Sequence, residues 1–368
     1  MGREAKRSGF IGLLVLAAVV SAALGLLTRP TLAHAAFPGE NGPIVFASDR
    51  GTSPKNWNIW KIQNPATYDA DLAPRAGLEQ LTTEAANETQ PSFSPDGRKI
   101  AYVQARGSDT EIMVMNTNGG EKTLLTRNGR QDRQPVFSPD GSRIAFASSR
   151  SGETEIWVMR ADGTGERRLT DFTAIDKTTG KSANPQFSPD GSQLFLQGTT
   201  YKDVPWGDDA VYRVDSDAAK PTHPRIVVNL HHFYDMRGFA FNPAGTRWTY
   251  SVRVSTGTKV NSNPLYAAWP TWGPFNLFVS AADGPCGICA EGVFRTFPGR
   301  RILGDPKKTW DFKFPAFAPS GDRIVAQDDS GQVPHLIGIT SAGERFRSFW
   351  WDIGWGAQIQ PDWGPVQR

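Results

Sequence analysis

A chain of 368 residues with 39% hydrophobic and 21% charged residues has the composition of an ordinary soluble globular protein. Its 40 Lys and Arg and 37 Asp and Glu fall to 36 of each once the four bases and one acid of the first 35 residues are set aside. That balance, with no long run of like charge, excludes the clustered Lys and Arg that a nucleic-acid binder needs to neutralise phosphates. The 37 Gly and 27 Pro demand many tight turns and so favour an all-β chain.

In chain order, Arg3, Lys6 and Arg7 precede an uncharged apolar run from Phe10 to Leu27, followed by Ala33-His34-Ala35. These are the three regions of a secretory signal. Residues 1–35 are therefore expected to be a signal peptide. The alternative is an uncleaved N-terminal anchor, because the run is about as long as the shortest membrane spans. No Cys lies nearby to carry a lipid. Residues 36–368 are expected to be exported as one domain: periplasmic, cell-surface or secreted, with membrane contact only through a retained anchor.

One pattern organises the remainder. Gln90-Pro-Ser-Phe-Ser-Pro-Asp-Gly97 recurs as Gln134-Pro-Val-Phe-Ser-Pro-Asp-Gly141 and Asn184-Pro-Gln-Phe-Ser-Pro-Asp-Gly191. Looser copies follow at Gly238–Gly245 and Phe314–Gly321, and a truncated one at Gln360–Pro365. The second proline of each copy falls at 95, 139, 189, 243, 319 and 365, at intervals of 44, 50, 54, 76 and 46 residues. That is the spacing of four-stranded propeller blades. In Ser-Pro-Asp-Gly, Pro presets φ, Asp caps its own backbone and Gly takes the left-handed conformation, so the tetrapeptide is a hairpin turn.

After each turn come apolar runs of five, such as Lys99–Val103 and Glu111–Met115, which read as strands. Asn118-Gly-Gly120 and Asp162-Gly163 supply the next hairpin, leading to Lys122–Thr126 and Glu166–Thr170. Each unit is thus four antiparallel strands. The first unit, from Phe37 to Thr82, lacks its Pro-x-Phe strand, and the C-terminal segment supplies one with nothing after it. The expected fold is an all-β, six-bladed β-propeller of four-stranded antiparallel blades, closed by Gln358–Pro365 completing blade one.

At these residues the chain resembles the TolB-type, WD-like propeller repeat: P-x-F/W-S-P-D-G, an apolar strand, D/E-I-W/Y-V-M-x-x-D-G, then L-T. The resemblance is close over residues 37–171 and loose beyond. It implies the fold and, through TolB, a cell-envelope role. The N-terminal α/β domain of that family and the serine peptidase domain of other relatives are not expected here, since the first blade follows the leader directly and the last repeat closes the sequence.

Enzyme motifs are scarce. G-x-S-x-G and H-E-x-x-H are absent, and Gly180-Lys-Ser182 has Ile175 where a phosphate loop needs Gly. A propeller lyase acting on pectin fragments shares this repeat and uses a histidine cluster on a metal. Only His231-His232 offers anything similar, and neighbours on a strand point to opposite faces. No catalytic residue, metal site or cofactor is assigned. Cys286 and Cys289, in Cys-Gly-Ile-Cys, are expected to form a local disulfide after export.

The binding candidates lie where the chain passes from the outer edge of one blade to the axis of the next. The residue before the first Pro, or its equivalent, is Gln90, Gln134, Asn184, Gly238, Phe314 and Gln360. Just upstream stand the bases Arg133, Arg237 and Lys313 and the acids Glu88, Asp132, Asp235 and Asp311. This mixed-charge ring at one channel mouth suits an oxygen-rich ligand or peptide. A water-filled channel whose polar groups satisfy one another is the alternative. Tyr266, Trp269, Trp272 and Phe275, on a Pro-rich loop of blade five, are expected either to form a partner-binding platform or to fold over the propeller.

Two functions follow as expectations. One is a monomeric binding or scaffold module with a protein, peptide or oligosaccharide ligand. The other is a hydrolase or lyase acting on a carbohydrate or lactone at the same mouth.

Overall fold

The computed structural model describes residues 40–50, 56–63, 77–172, 179–200, 208–229, 234–245, 247–260, 268–281, 300–303, 312–329, 334–340, 345–348 and 358–365. The leader, His231-His232, Tyr266, Cys286, Cys289 and Asp311 lie outside these residues, as does any statement on them. Among the described residues no helix is long and apolar enough to cross a membrane.

All the described regular structure is β, in four-stranded antiparallel sheets. The first contains β1 (Asn41–Ser48), β2 (Asn58–Ile62), β3 (Leu78–Gln80) and, as the inner neighbour of β1, β24 (Gln358–Pro365). The next two run in chain order: β4 (Glu88–Phe93), β5 (Lys99–Arg106), β6 (Asp109–Asn116), β7 (Thr123–Leu124), and β8 (Asp132–Phe137), β9 (Arg143–Ser151), β10 (Glu153–Arg160), β11 (Arg167–Arg168). Then come β12 (Thr179–Phe187), β13 (Gln193–Thr200), β14 (Asp208–Asp215), β15 (Arg225–Asn229), and β16 (Tyr234–Phe241), β17 (Arg247–Val260), β18 (Ala268–Ala281), β19 (Arg300–Leu303). The last sheet holds β20 (Phe312–Phe317), β21 (Arg323–Asp328), β22 (His335–Thr340) and β23 (Arg345–Ser348).

The apolar runs are continuous because both faces of each sheet are covered, and side chains alternate between the faces. On β5, Ile100 and Tyr102 pack with Val45, Ala47 and Ile59 of the first sheet. The intervening Ala101 and Val103 pack with Phe137, Ile144 and Phe146 of the third. The first sheet buries its other face, Ile44, Phe46 and Ile62, against Val325 and Leu336 of the last. Each such aromatic or branched side chain, at or near zero exposure, contributes about 1.5–3 kcal/mol by leaving water.

The Ser-Pro-Asp-Gly turns repeat one hydrogen-bond set. Gly97 N–H donates to Ser94 O at 2.9 Å, and the Ser94 hydroxyl donates to Asp96 Oδ1 at 2.6 Å. Asp96 Oδ1 also takes Arg98 N–H at 3.0 Å, and Gly97 sits at φ 69°. Ser138–Gly141 and Ser188–Gly191 reproduce it. At Asp190, hydrogen bonds led by the Ser188 hydroxyl hold the carboxyl below its usual range. These aspartates are turn residues.

Blade-five aromatics occupy a different element from the expected loop. Trp269, Trp272 and Phe275 lie on β18, which starts at Ala268 and not at Asn276. β16 accompanies β17 only to Val254. Beyond that point Ser255–Val260 and Ala268–Trp272 pair with each other as a two-stranded ribbon. Trp and Phe suit a pleated strand, and Pro270 is tolerated because Ala268–Trp272 has a ladder partner on one side only among the described residues.

Candidate functional site

The inner strands β4, β8, β12, β16, β20 and β24 each break their ladder at the residue before the proline or its equivalent. Gln90, Gln134, Asn184, Phe314 and Gln360 have φ between 48° and 56°, and Gly238 has φ 90°. A left-handed conformation costs an ordinary residue about 1–2 kcal/mol, so something must hold these five. Side-chain amides do much of it. Gln360 Oε1 accepts from Gln90 N–H at 3.2 Å, Gln90 Oε1 from Gln134 N–H at 2.7 Å, and Gln134 Oε1 from Asn184 N–H at 2.9 Å. Each amide thus clamps the backbone of the next sheet.

The series changes where the amides stop. Asn184 Nδ2 donates to Gln197 Oε1 at 2.8 Å, and Gln197 Nε2 reaches Met236 O at 2.9 Å. At 238 a side chain would collide with the next strand, since a Cβ there would stand 3.1 Å from Phe314 Cα and 3.4 Å from its ring. Phe314 fills the space an amide would have used. Gln360 N–H then takes Gln327 Oε1, on β21, at 3.2 Å.

These residues, with the prolines after them, line an axial cavity of about 170 Å³. The volume accommodates several waters or one small molecule. Ser92, Gln186 and Asp362 also face it, and Asp362 Oδ2 accepts from Phe93 N–H at 2.7 Å.

The charged candidates are not gathered into one open ring. Glu88 and Asp132 are fully buried. Alternation along β8 turns Asp132 inward and leaves Arg133 exposed, bonded to the Gln131 side chain. Asp132 instead takes Ser148 Oγ at 2.5 Å, Asn128 Nδ2 at 2.6 Å and Arg150 Nη2 at 2.7 Å. Arg150 itself lies over two rings paired across the sheet, its guanidinium 4.7 Å from the Trp157 ring and 5.2 Å from the Phe146 ring. Lys313 is half-buried and paired with Asp329 at 2.6 Å. Asp235 and Arg237 lie on β16; only their backbone is described.

Glu88 Oε1 accepts from Gln104 Nε2 at 3.0 Å, while Oε2 makes no regular hydrogen bond. Burial pushes its carboxyl up from 4.5 to about 6, against the pull of Gln104 and Thr82. A raised carboxyl pKa means that the folded chain binds this proton more tightly than the unfolded one. Stability from this group is therefore full below pH 4.5 and lost as pH rises through about 6. Glu88→Gln should flatten that dependence and stabilise the chain at pH 7 by on the order of 1–2 kcal/mol, read from urea midpoints at pH 4.5 and 7.

A further polar clamp was not anticipated. Glu111 Oε2 accepts from the Thr126 hydroxyl at 2.7 Å, Thr126 Oγ1 accepts from Ile112 N–H at 2.9 Å, and Glu111 Oε1 takes Asn128 N–H at 3.0 Å. Glu155, Thr170, Ile156 and Phe172 repeat it. It fastens the exits of the two outer strands β7 and β11, so these acids are structural. Among the described residues there is no group of three or more His, Cys, Asp or Glu placed to hold a metal.

No family model matches the sequence, and no curated protein matches it significantly. Solved structures are similar in fold. TolB from Acinetobacter baumannii aligns over 99% of this chain and 74% of its own, with TM-score 0.58 and 18% identity. A putative TolB from Agrobacterium tumefaciens aligns over 89% and 99%, with TM-score 0.52 and 14% identity. Hydrazine synthase from Kuenenia stuttgartiensis gives TM-score 0.64 and 13% identity over 91% of this chain and 49% of its own. At such identities the likeness is one of fold, and the fold of this chain is that of a TolB-type β-propeller.

Proposed function

We propose that the chain is an exported binding or scaffold module of the cell envelope or extracellular space. In this reading it is a six-bladed ring, closed by β24, that takes a protein, peptide or oligosaccharide at the axial mouth. One observation carries the proposal: Arg133 stands exposed at the start of β8, bonded to the neutral Gln131 side chain, directly beside a buried acid already neutralised by Arg150. An exposed cation one residue before the cavity-lining Gln134 is available to a ligand without any loss to the fold. Export rests on the leader motif. Trp269 and Trp272, on the two-stranded stretch of β17 and β18, and Phe275, further along β18, are assigned a second contact with a partner, since aromatic residues dominate such contacts.

The test is an array of peptides and oligosaccharides probed with residues 36–368. A ligand found there should bind Arg133→Ala/Arg237→Ala at least tenfold more weakly, with melting unchanged. Undiminished binding would move the contact to the ribbon, and turnover of the ligand would favour the hydrolase or lyase reading.

A further inference from the structure

We propose that the axial cavity binds a small neutral polyhydroxylated molecule of monosaccharide size, held by the side-chain N–H groups of Gln90 and Gln360 against an apolar wall at Phe314. A backbone N–H can only donate, so the end of a glutamine amide that meets one must be its oxygen. The contacts from Gln90 N–H to Gln360 and from Gln134 N–H to Gln90 therefore fix both amides with Oε1 toward the next strand. Their Nε2 groups are left as donors. Gln134 spends its own Nε2 on Asn184 Oδ1 at 2.5 Å, and Asn184 spends Nδ2 on Gln197. For Gln90 and Gln360, no described residue accepts from Nε2.

Ser92 and Gln186 line the same cavity, and their side chains likewise make no hydrogen bond among the described residues. The polar groups thus form one arc of the wall. The opposite arc is apolar and contiguous: Gly238, Ala240, Phe314 and Ala316.

Charge selects among ligands. No Lys, Arg or His lines the cavity, and Asp362 does, so an anion entering it would meet a carboxylate and no cation in the lining. A cation would face two amide donors. A neutral ring with several hydroxyls on its edge and C–H groups on one face satisfies both arcs: its oxygens accept from Gln90 and Gln360, its hydroxyl hydrogens turn to Gln186 or Ser92, and its C–H face lies on Phe314. The cavity of about 170 Å³ has room for a single small ring.

The experiment is a ligand-observed NMR titration of residues 36–368 with the methyl glycosides of glucose, galactose and mannose, and with acetate. At least one glycoside should bind in the millimolar range and acetate should not. Gln90→Glu/Gln360→Glu keeps an oxygen for each backbone N–H but turns both donors into acceptors, and should weaken glycoside binding at least tenfold. Ser92→Leu fills the cavity and should do the same; it decides the matter if the double variant fails to fold. Arg160→Ala, at the end of β10 and outside the cavity lining, should leave this binding unchanged. No glycoside binding to the wild type, tighter binding of acetate, or full binding by the folded variants overturns the proposal.

Discussion

A chain lacking residues 358–368 is expected to lose its cooperative thermal transition altogether. β24 pairs with β1 from Asn41 opposite Pro365 to Ser48 opposite Gln358, and its loss would strip one edge of β1 along the whole strand. It also holds the neighbouring sheets: Asp362 and Gln360 accept from Phe93 and Gln90, and Gln360 donates to Gln327. Removing a whole strand, with the contacts it makes on both sides, exceeds the 5–15 kcal/mol by which a domain of this kind is stable. Gly364→Ala is the single-residue form, since its Cβ would stand 2.5 Å from Phe93 Cδ2. Calorimetry of the truncated chain checks the claim; a transition at the full-length temperature would refute it.

Arg150→Ala is expected to cost about 3 kcal/mol, whereas Arg133→Ala should cost less than about 0.5 kcal/mol. The two arginines flank one acid with opposite consequences. Asp132 has no exposed surface, and Arg150, at 12% exposure, is its only cationic partner among the described residues. Without Arg150, the carboxylate keeps Ser148 and Asn128 but loses its cationic partner in a buried layer. Packing against Trp157 and Phe146 is lost as well. Arg133 is exposed and bonded to Gln131, so its removal uncovers nothing. Urea unfolding of both variants at pH 7 measures the difference, and equal destabilisation would contradict it.

The sequence showed most of what repeats. Ser-Pro-Asp-Gly, the five-residue apolar runs and the phase of the first and last units all rest on local chemistry, and turns, strands and the β1–β24 pairing follow from them. Side-chain direction was less accessible. Glu88 and Asp132 read as members of a polar rim because each precedes an amide, yet the ladder partners Gln104 and Ser148 draw them inward. The Asp132–Arg150 link was hidden because the recurrence of Phe46-Ala-Ser-Asp-Arg50 as Phe146-Ala-Ser-Ser-Arg150 does not by itself say which acid the arginine meets. Gln90, Gln134 and Asn184 were visible as amides, but not as left-handed residues: a residue before proline is expected to be extended, and only the bulge demanded by the next sheet overrides that. The Glu111–Thr126 clamp did have a signal, the recurrence of Glu-Ile and Leu-Thr at the same separation as Glu155 and Thr170.

The shared first sheet also dictates a timetable for the newborn chain. Ser48 and Gln358, 310 positions apart, are ladder neighbours. While the chain is being synthesised from its N-terminus, β1 to β3 must wait with one edge bare until nearly the last residue has emerged. Later sheets have all four of their strands in hand as soon as they are made. The slowest event in folding should therefore be this final docking, whose loop-closure entropy is the largest in the molecule.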